Sequence, residues 1–109
     1  MPVDRLRAAS RLTAVQLATA AGEVQLVDVR GPREVRVGGR VPGAVVVPLP
    51  ELVRRLGELD PARPTVVYCA GGYRSSIAAS TLRAAGFADV SDLIGGFGAW
   101  NDGVRPVER

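Results

Sequence analysis

Short Val-rich runs recur along this chain, and they constrain its fold more than any other feature. VQLVDV at 24–29, AVVV at 44–47 and TVVYC at 65–69 are apolar on both alternating faces. Such runs suit strands covered on both sides, as in parallel sheets. Gly31 and Pro32 end the first run and Pro48 the second. A fourth short strand is expected around 89–93.

Helical patterns alternate with these runs. Thr13 and Gln16 fit a capping box, with Val15, Leu17 and Ala18 on the apolar side and Gly22 as the stop. Pro50 sits well in the first turn of a helix over 50–58, with Leu52, Leu56 and Leu59 on one stripe. Residues 74–85 form a third helix, with Ile77, Ala78, Thr81, Leu82 and Ala85 on its apolar side and Gly86 closing it. A Gly-rich turn then leads into a helix carrying Phe97 and Trp100. Residues 31–43 are rich in Gly, Pro and Arg and read as an irregular loop with one helical turn near Glu34. Strands alternating with helices imply an α/β domain around a mostly parallel sheet.

The chain has 109 residues, so one domain is expected, over 10–109, behind a loose basic lead-in at 1–9. Its opening MPVDRLRAAS has no hydrophobic block, and no apolar run is long enough to span a bilayer. The single cysteine, Cys69, has no disulfide partner within the chain, which points to the cytoplasm. There is no His, which removes His-assisted nucleophiles and His-based zinc motifs, and no metal is expected. The net charge of +3 comes from arginines spread along the chain, with no basic block interleaved with aromatics. Nucleic-acid binding is therefore not expected.

Cys69 closes a strand just before a helix begins. In open α/β sheets, ligands bind beyond the carboxyl ends of the strands. Between strand and helix lie Ala70, Gly71, Gly72 and Tyr73. The two glycines permit positive φ, so successive N–H groups can converge on one point and bind an anion. The helix start adds its free N–H groups and dipole. Arg74 stands at the wrong end of that dipole, which an anion between the two would relieve. Ser75 and Ser76 add hydroxyls there. These surroundings lower a thiol's pKa and favour the reactive thiolate. A lone Cys ending an apolar strand is more often a small buried hydrophobe, but the full Cys-x-x-Gly-x-Arg-Ser spacing favours chemistry.

Four segments in order resemble the single-domain rhodaneses, the thiosulfate sulfurtransferase family: LVDVR at 26–30, GGRVPGAVVVPLPEL at 38–52, VVYCAGGYRS at 66–75 and LIGGFGAWNDGVRPV at 93–107. The resemblance implies a three-layer fold with a five-stranded, mostly parallel sheet and helices on both faces. It implies that Cys69 is the nucleophile, taking the outer sulfur of thiosulfate or a related anionic donor as a persulfide and passing it to cyanide or a thiol. The N–H groups of residues 70–74 would hold the persulfide's charge. Arg74 would bind the donor, and Asp28 and Arg30 would support the loop. No cofactor is implied. Arg40, Val46 and Val35 depart from the family's usual His, Asn and aromatic residue. Phe97 and Trp100 read as core, and Tyr73 either rims the pocket or lies on the surface.

Two other readings remain open. A phosphatase or arsenate reductase of the same fold has five residues between Cys and Arg, where this chain has four, and a reductase would also want a second Cys. A recognition module or persulfide carrier would serve a protein partner such as a cysteine desulfurase or another sulfur-relay protein.

Overall fold

The computed structural model describes residues 11–109. The expected lead-in at 1–9 lies outside the described residues. Five strands, β1 (Arg11–Leu12), β2 (Gln25–Asp28), β3 (Val45–Val46), β4 (Thr65–Tyr68) and β5 (Val90–Leu93), form one sheet in the order β1-β5-β4-β2-β3. Every pairing is parallel. The helices are α1 (Ala14–Ala20), α2 (Pro32–Gly38), α3 (Tyr73–Ala84) and α4 (Gly96–Trp100).

Alternation along the strands sorts the core into two layers. On one face, Val27, Val67 and Val90 pack with Ala78, Ala79 and Leu82 of α3 and with Leu52 and Leu59. On the other, Leu26, Val66, Tyr68 and Leu93 pack with Ala14 and Leu17 of α1 and with Phe97 and Trp100 of α4. The result is the expected three-layer α/β fold.

Topology places the site. The chain leaves β2 for β3 at one edge, then returns to β4 on the other side of β2 and moves on to β5. The order therefore reverses between β2 and β4, which opens a crevice at their carboxyl ends. Asp28 and Tyr68 are register partners there, and Cys69 follows Tyr68.

Several local expectations need correction. The helix expected over 50–58 is instead two 3-10 turns, Leu49–Glu51 and Leu56–Glu58. So short a segment, interrupted by Gly57, gains little from α-helical propagation. Leu52 and Leu59 are buried all the same. Conversely, 31–43 contains two turns of helix rather than one. Pro32 begins α2, and the Glu34 carboxylate accepts the Gly31 N–H at 2.9 Å. The 44–47 run pairs only through Val45 and Val46, and Val45 is exposed because β3 is a sheet edge. β1 carried no recognisable signal, since two residues show no period.

Two helices are rotated from their expected faces. α1 has the expected cap, with reciprocal Thr13–Gln16 hydrogen bonds of 2.9 and 3.1 Å. It buries Ala14 and Leu17, however, and exposes Val15 and Ala18. It gives way at Ala20 to a 3-10 turn, Ala21–Glu23, that contains Gly22. Fully burying a leucine such as Leu17 contributes roughly 1.5–3 kcal/mol, which holds a helix too short to be stable alone. In α3 the buried set is Ser75, Ala78, Ala79 and Leu82, while Ile77 and Ala85 are exposed. The helix is turned so that its first turn closes over Cys69. Gly86 (φ 99°) follows it as expected.

Candidate active site around Cys69

Cys69 lies just beyond β4, 1% exposed, on the α3 side of the sheet. Its Sγ accepts the N–H of Gly72 at 3.0 Å and of Ser75 at 3.3 Å. The loop folds back this tightly because Gly72 has φ 125°, which side chains disfavour. Of the two loop glycines only Gly72 has positive φ, so the expectation for Gly71 is not met. Burial pushes the Cys69 thiol up, but the amides of Ser75 and Gly72 outweigh it, and the thiol ends below its ordinary value. The site can thus hold a negative charge on sulfur chiefly through backbone N–H groups, with the Ser75 hydroxyl adding to them.

The two serines do different work. Ser75 is buried, and its Oγ donates to the Gly72 carbonyl at 3.1 Å, fastening the loop to α3. Ser76 Oγ donates to the Tyr73 carbonyl at 2.9 Å, so its hydroxyl is turned into its own helix. Tyr73 lies on the surface, 79% exposed. Ala70 and Gly71 are also exposed, at the loop's outer edge.

A second element fixes the loop from behind. The N–H groups of Phe97 and Gly98, at the start of α4, donate to the carbonyls of Cys69 (2.7 Å) and Ala70 (3.2 Å). Gly96 (φ 59°) lies so close that a Cβ there would collide with both carbonyl oxygens. The Gly-Gly before Phe97 is therefore a seat for the cysteine loop as well as a turn. Phe97 and Trp100 lie in the core as expected.

Asp28 and Arg30 form a buried pair beside the loop. Arg30 donates through Nε (2.9 Å) and Nη2 (2.6 Å) to the two Asp28 oxygens, and its backbone N–H adds a third bond at 3.0 Å. Arg30 Nη2 also reaches the Gly39 carbonyl at 2.7 Å. Its guanidinium lies 4.2 Å from the Phe97 ring centre. The pair thus ties the end of β2 to the loop after α2 and to α4.

Arg74 has an anionic partner that sequence reasoning missed. Its Nη1 and Nη2 donate to the two Glu34 oxygens at 2.7 and 2.9 Å. Hydrogen bonds from Arg74, aided by the Gly31 N–H, outweigh desolvation and hold the Glu34 carboxyl at about 2. The clue was Arg74 itself, a cation in a first helical turn that calls for a nearby anion. Nothing local could pick Glu34 from the other acids. Arg40 is held by Glu108, with Nη2–Oε2 at 2.9 Å. Val35 is buried and Val46 half-buried.

A sequence model of the Rhodanese-like domain matches residues 12–102. The chain belongs to the rhodanese-like domain family. It is 39% identical over 84 residues to the thiosulfate sulfurtransferase GlpE of Shewanella oneidensis, covering 77% of this chain and 82% of GlpE. It is 35% identical over 103 residues to YqhL of Bacillus subtilis, covering 94% of this chain and 81% of YqhL. The structure is similar to that of a rhodanese-related protein from Thermoplasma volcanium, with TM-score 0.82 and 28% identity over 89% of this chain and 95% of that one. The rhodanese fold expected from the four motifs is therefore the fold of this chain. Among the described residues no helix is long and apolar enough to cross a membrane, and no cluster of three or more His, Cys, Asp or Glu residues is placed to hold a metal.

Proposed function

We propose that this protein is a sulfurtransferase in which Cys69 takes the sulfane sulfur of thiosulfate or a related donor and carries it as a persulfide to a thiol or cyanide. The observation that carries this reading is the pair of amide bonds, from Gly72 and Ser75, converging on the Cys69 sulfur. They favour a thiolate before transfer, and they can hold a charged outer sulfur after it. With thiosulfate, the thiolate attacks the outer sulfur, the S–S bond breaks, and its electron pair leaves on sulfite. Ala70, Gly71, Gly72, Tyr73, Arg74 and Ser75 form the loop that binds donor and persulfide, while Asp28 and Arg30 brace it. The reaction needs no cofactor, and the cytoplasm suits an unpaired thiol.

The test is the intact mass after incubation with thiosulfate or cysteine persulfide and desalting without reductant. One added sulfur is expected with the native chain and none with Cys69→Ser. A variant that still gains sulfur would refute Cys69 as the carrier. A relay role, with a cysteine desulfurase or similar protein as donor, uses the same persulfide. It is favoured if protein persulfides load Cys69 and small donors do not.

A further inference from the structure

We infer that Glu34 sets which sulfur donors Cys69 accepts, by cancelling the charge of Arg74 and so favouring persulfide donors over doubly charged ones such as thiosulfate. The inference rests on sulfur transfer at Cys69 as proposed above. Arg74 follows the loop directly, yet both of its terminal nitrogens are engaged by the two oxygens of one carboxylate, at 2.7 and 2.9 Å. That carboxylate is fixed in turn by the Gly31 N–H at 2.9 Å. The fork is bidentate, the geometry in which Arg–carboxylate pairs are strongest. Arg30, Arg40 and Arg105, the other arginines of the four motif segments, are paired with Asp28, Glu108 and Asp102. The chain has no His, and its basic residues are all arginines.

Closest to the Cys69 sulfur are the Gly72 and Ser75 amides, at 3.0 and 3.3 Å, which meet one sulfur atom. Two amides suit one negative charge at one sulfur. Thiosulfate brings two charges to an attacking thiolate, and sulfite carries two away, beside a guanidinium already neutralised by Glu34. A persulfide brings at most one charge at its sulfurs, and its reacting form R–S–SH brings none. The Cys69 thiolate attacks its outer sulfur, the donor's S–S bond breaks, and the pair leaves as R–S⁻. The proton stays on the transferred sulfur until solvent takes it. Total charge is unchanged and no outside oxidant or reductant is needed.

The experiment measures the second-order rate of Cys69 persulfide formation, by intact mass, with thiosulfate and with cysteine persulfide, in the native chain and in Glu34→Gln and Glu34→Asp. The native chain is expected to load from cysteine persulfide roughly a hundredfold faster than from thiosulfate, within the range that local fields impose on charged substrates. Glu34→Gln frees the Arg74 charge and is expected to raise the thiosulfate rate about tenfold, with the cysteine persulfide rate within about twofold of native. Glu34→Asp keeps the charge and should keep the native donor ratio, which separates charge from packing. Equal native rates with the two donors, or an unchanged thiosulfate rate in a folded Glu34→Gln, would overturn the role of Glu34 while leaving sulfur transfer intact. If neither donor adds sulfur to Cys69, sulfur transfer itself falls. Where the glutamine variant does not fold, Glu34→Ala is the second neutral variant, with the same rise in the thiosulfate rate expected and an unchanged rate overturning the role.

Discussion

Phe97 donates its backbone N–H to the carbonyl of Cys69 at 2.7 Å, so the first residues of the last helix hold the loop that carries the only thiol. Gly96, one residue earlier, faces the Cys69 and Ala70 carbonyls with no room for a side chain. The site is thus built from two segments far apart in the chain.

Gly96→Ala tests that contact. The alanine must adopt φ 59° and also displace the Cys69 and Ala70 carbonyls. A strained φ and an overpacked contact together cost about 2–4 kcal/mol. Urea unfolding is expected to show that loss, with slower persulfide formation because the loop no longer seats correctly. An unchanged denaturation midpoint would mean that the contact can relax.

The Asp28–Arg30 pair is 0% and 3% exposed, so breaking it leaves a charge buried. Asp28→Ala is expected to cost about 3–5 kcal/mol, as is Arg30→Ala. The double variant should cost clearly less than the sum of the two. A double-mutant cycle by chemical denaturation checks this, and simple additivity would show that the two side chains act independently.

The lowered Cys69 pKa has a sign that can be measured. The folded chain favours the thiolate more than the unfolded chain does. The resulting stabilisation is therefore fully present above the unfolded thiol pKa, about 8.5, and is lost as pH falls through the folded value. The stability difference between the native chain and Cys69→Ser should accordingly shift in favour of the native chain as pH rises from neutral to alkaline. Alkylation of Cys69 by iodoacetamide, followed against pH, should have its midpoint below that of a free thiol. A midpoint at or above the free-thiol value would show that burial, not the amides, dominates.

Arg74→Ala removes the guanidinium and leaves the Glu34 carboxylate unpaired beside the loop. The carboxylate's uncancelled charge then repels an anionic donor, so thiosulfate loading should slow by about one order of magnitude. Single-turnover loading with thiosulfate checks this. Unchanged kinetics would mean that the fork lies outside the donor's path.

The legibility of this protein follows the distance over which each signal acts. The Thr13–Gln16 cap, the Gly86 stop and the placement of Cys69 between strand and helix are short-range features, and all are present in the structure. The 50–58 segment misled because its leucine spacing serves two 3-10 turns as well as one helix. The Glu34 capping of α2 could have been read from Pro32 and Glu34, but the surrounding Gly and Arg residues masked it.

By itself, the sequence determined the alternating α/β order, the position of the thiol at the end of a strand and the four-residue loop that follows it, because these depend on neighbours along the chain. Only the tertiary structure decided that Glu34 neutralises Arg74, that Gly96 seats the Cys69 carbonyl, and that α3 turns Ser75 rather than Ile77 inward. Those choices depend on groups that meet only when parallel crossovers bring the ends of β2, β4 and β5 together. A carboxylate 40 residues from its arginine leaves no periodic trace in the sequence.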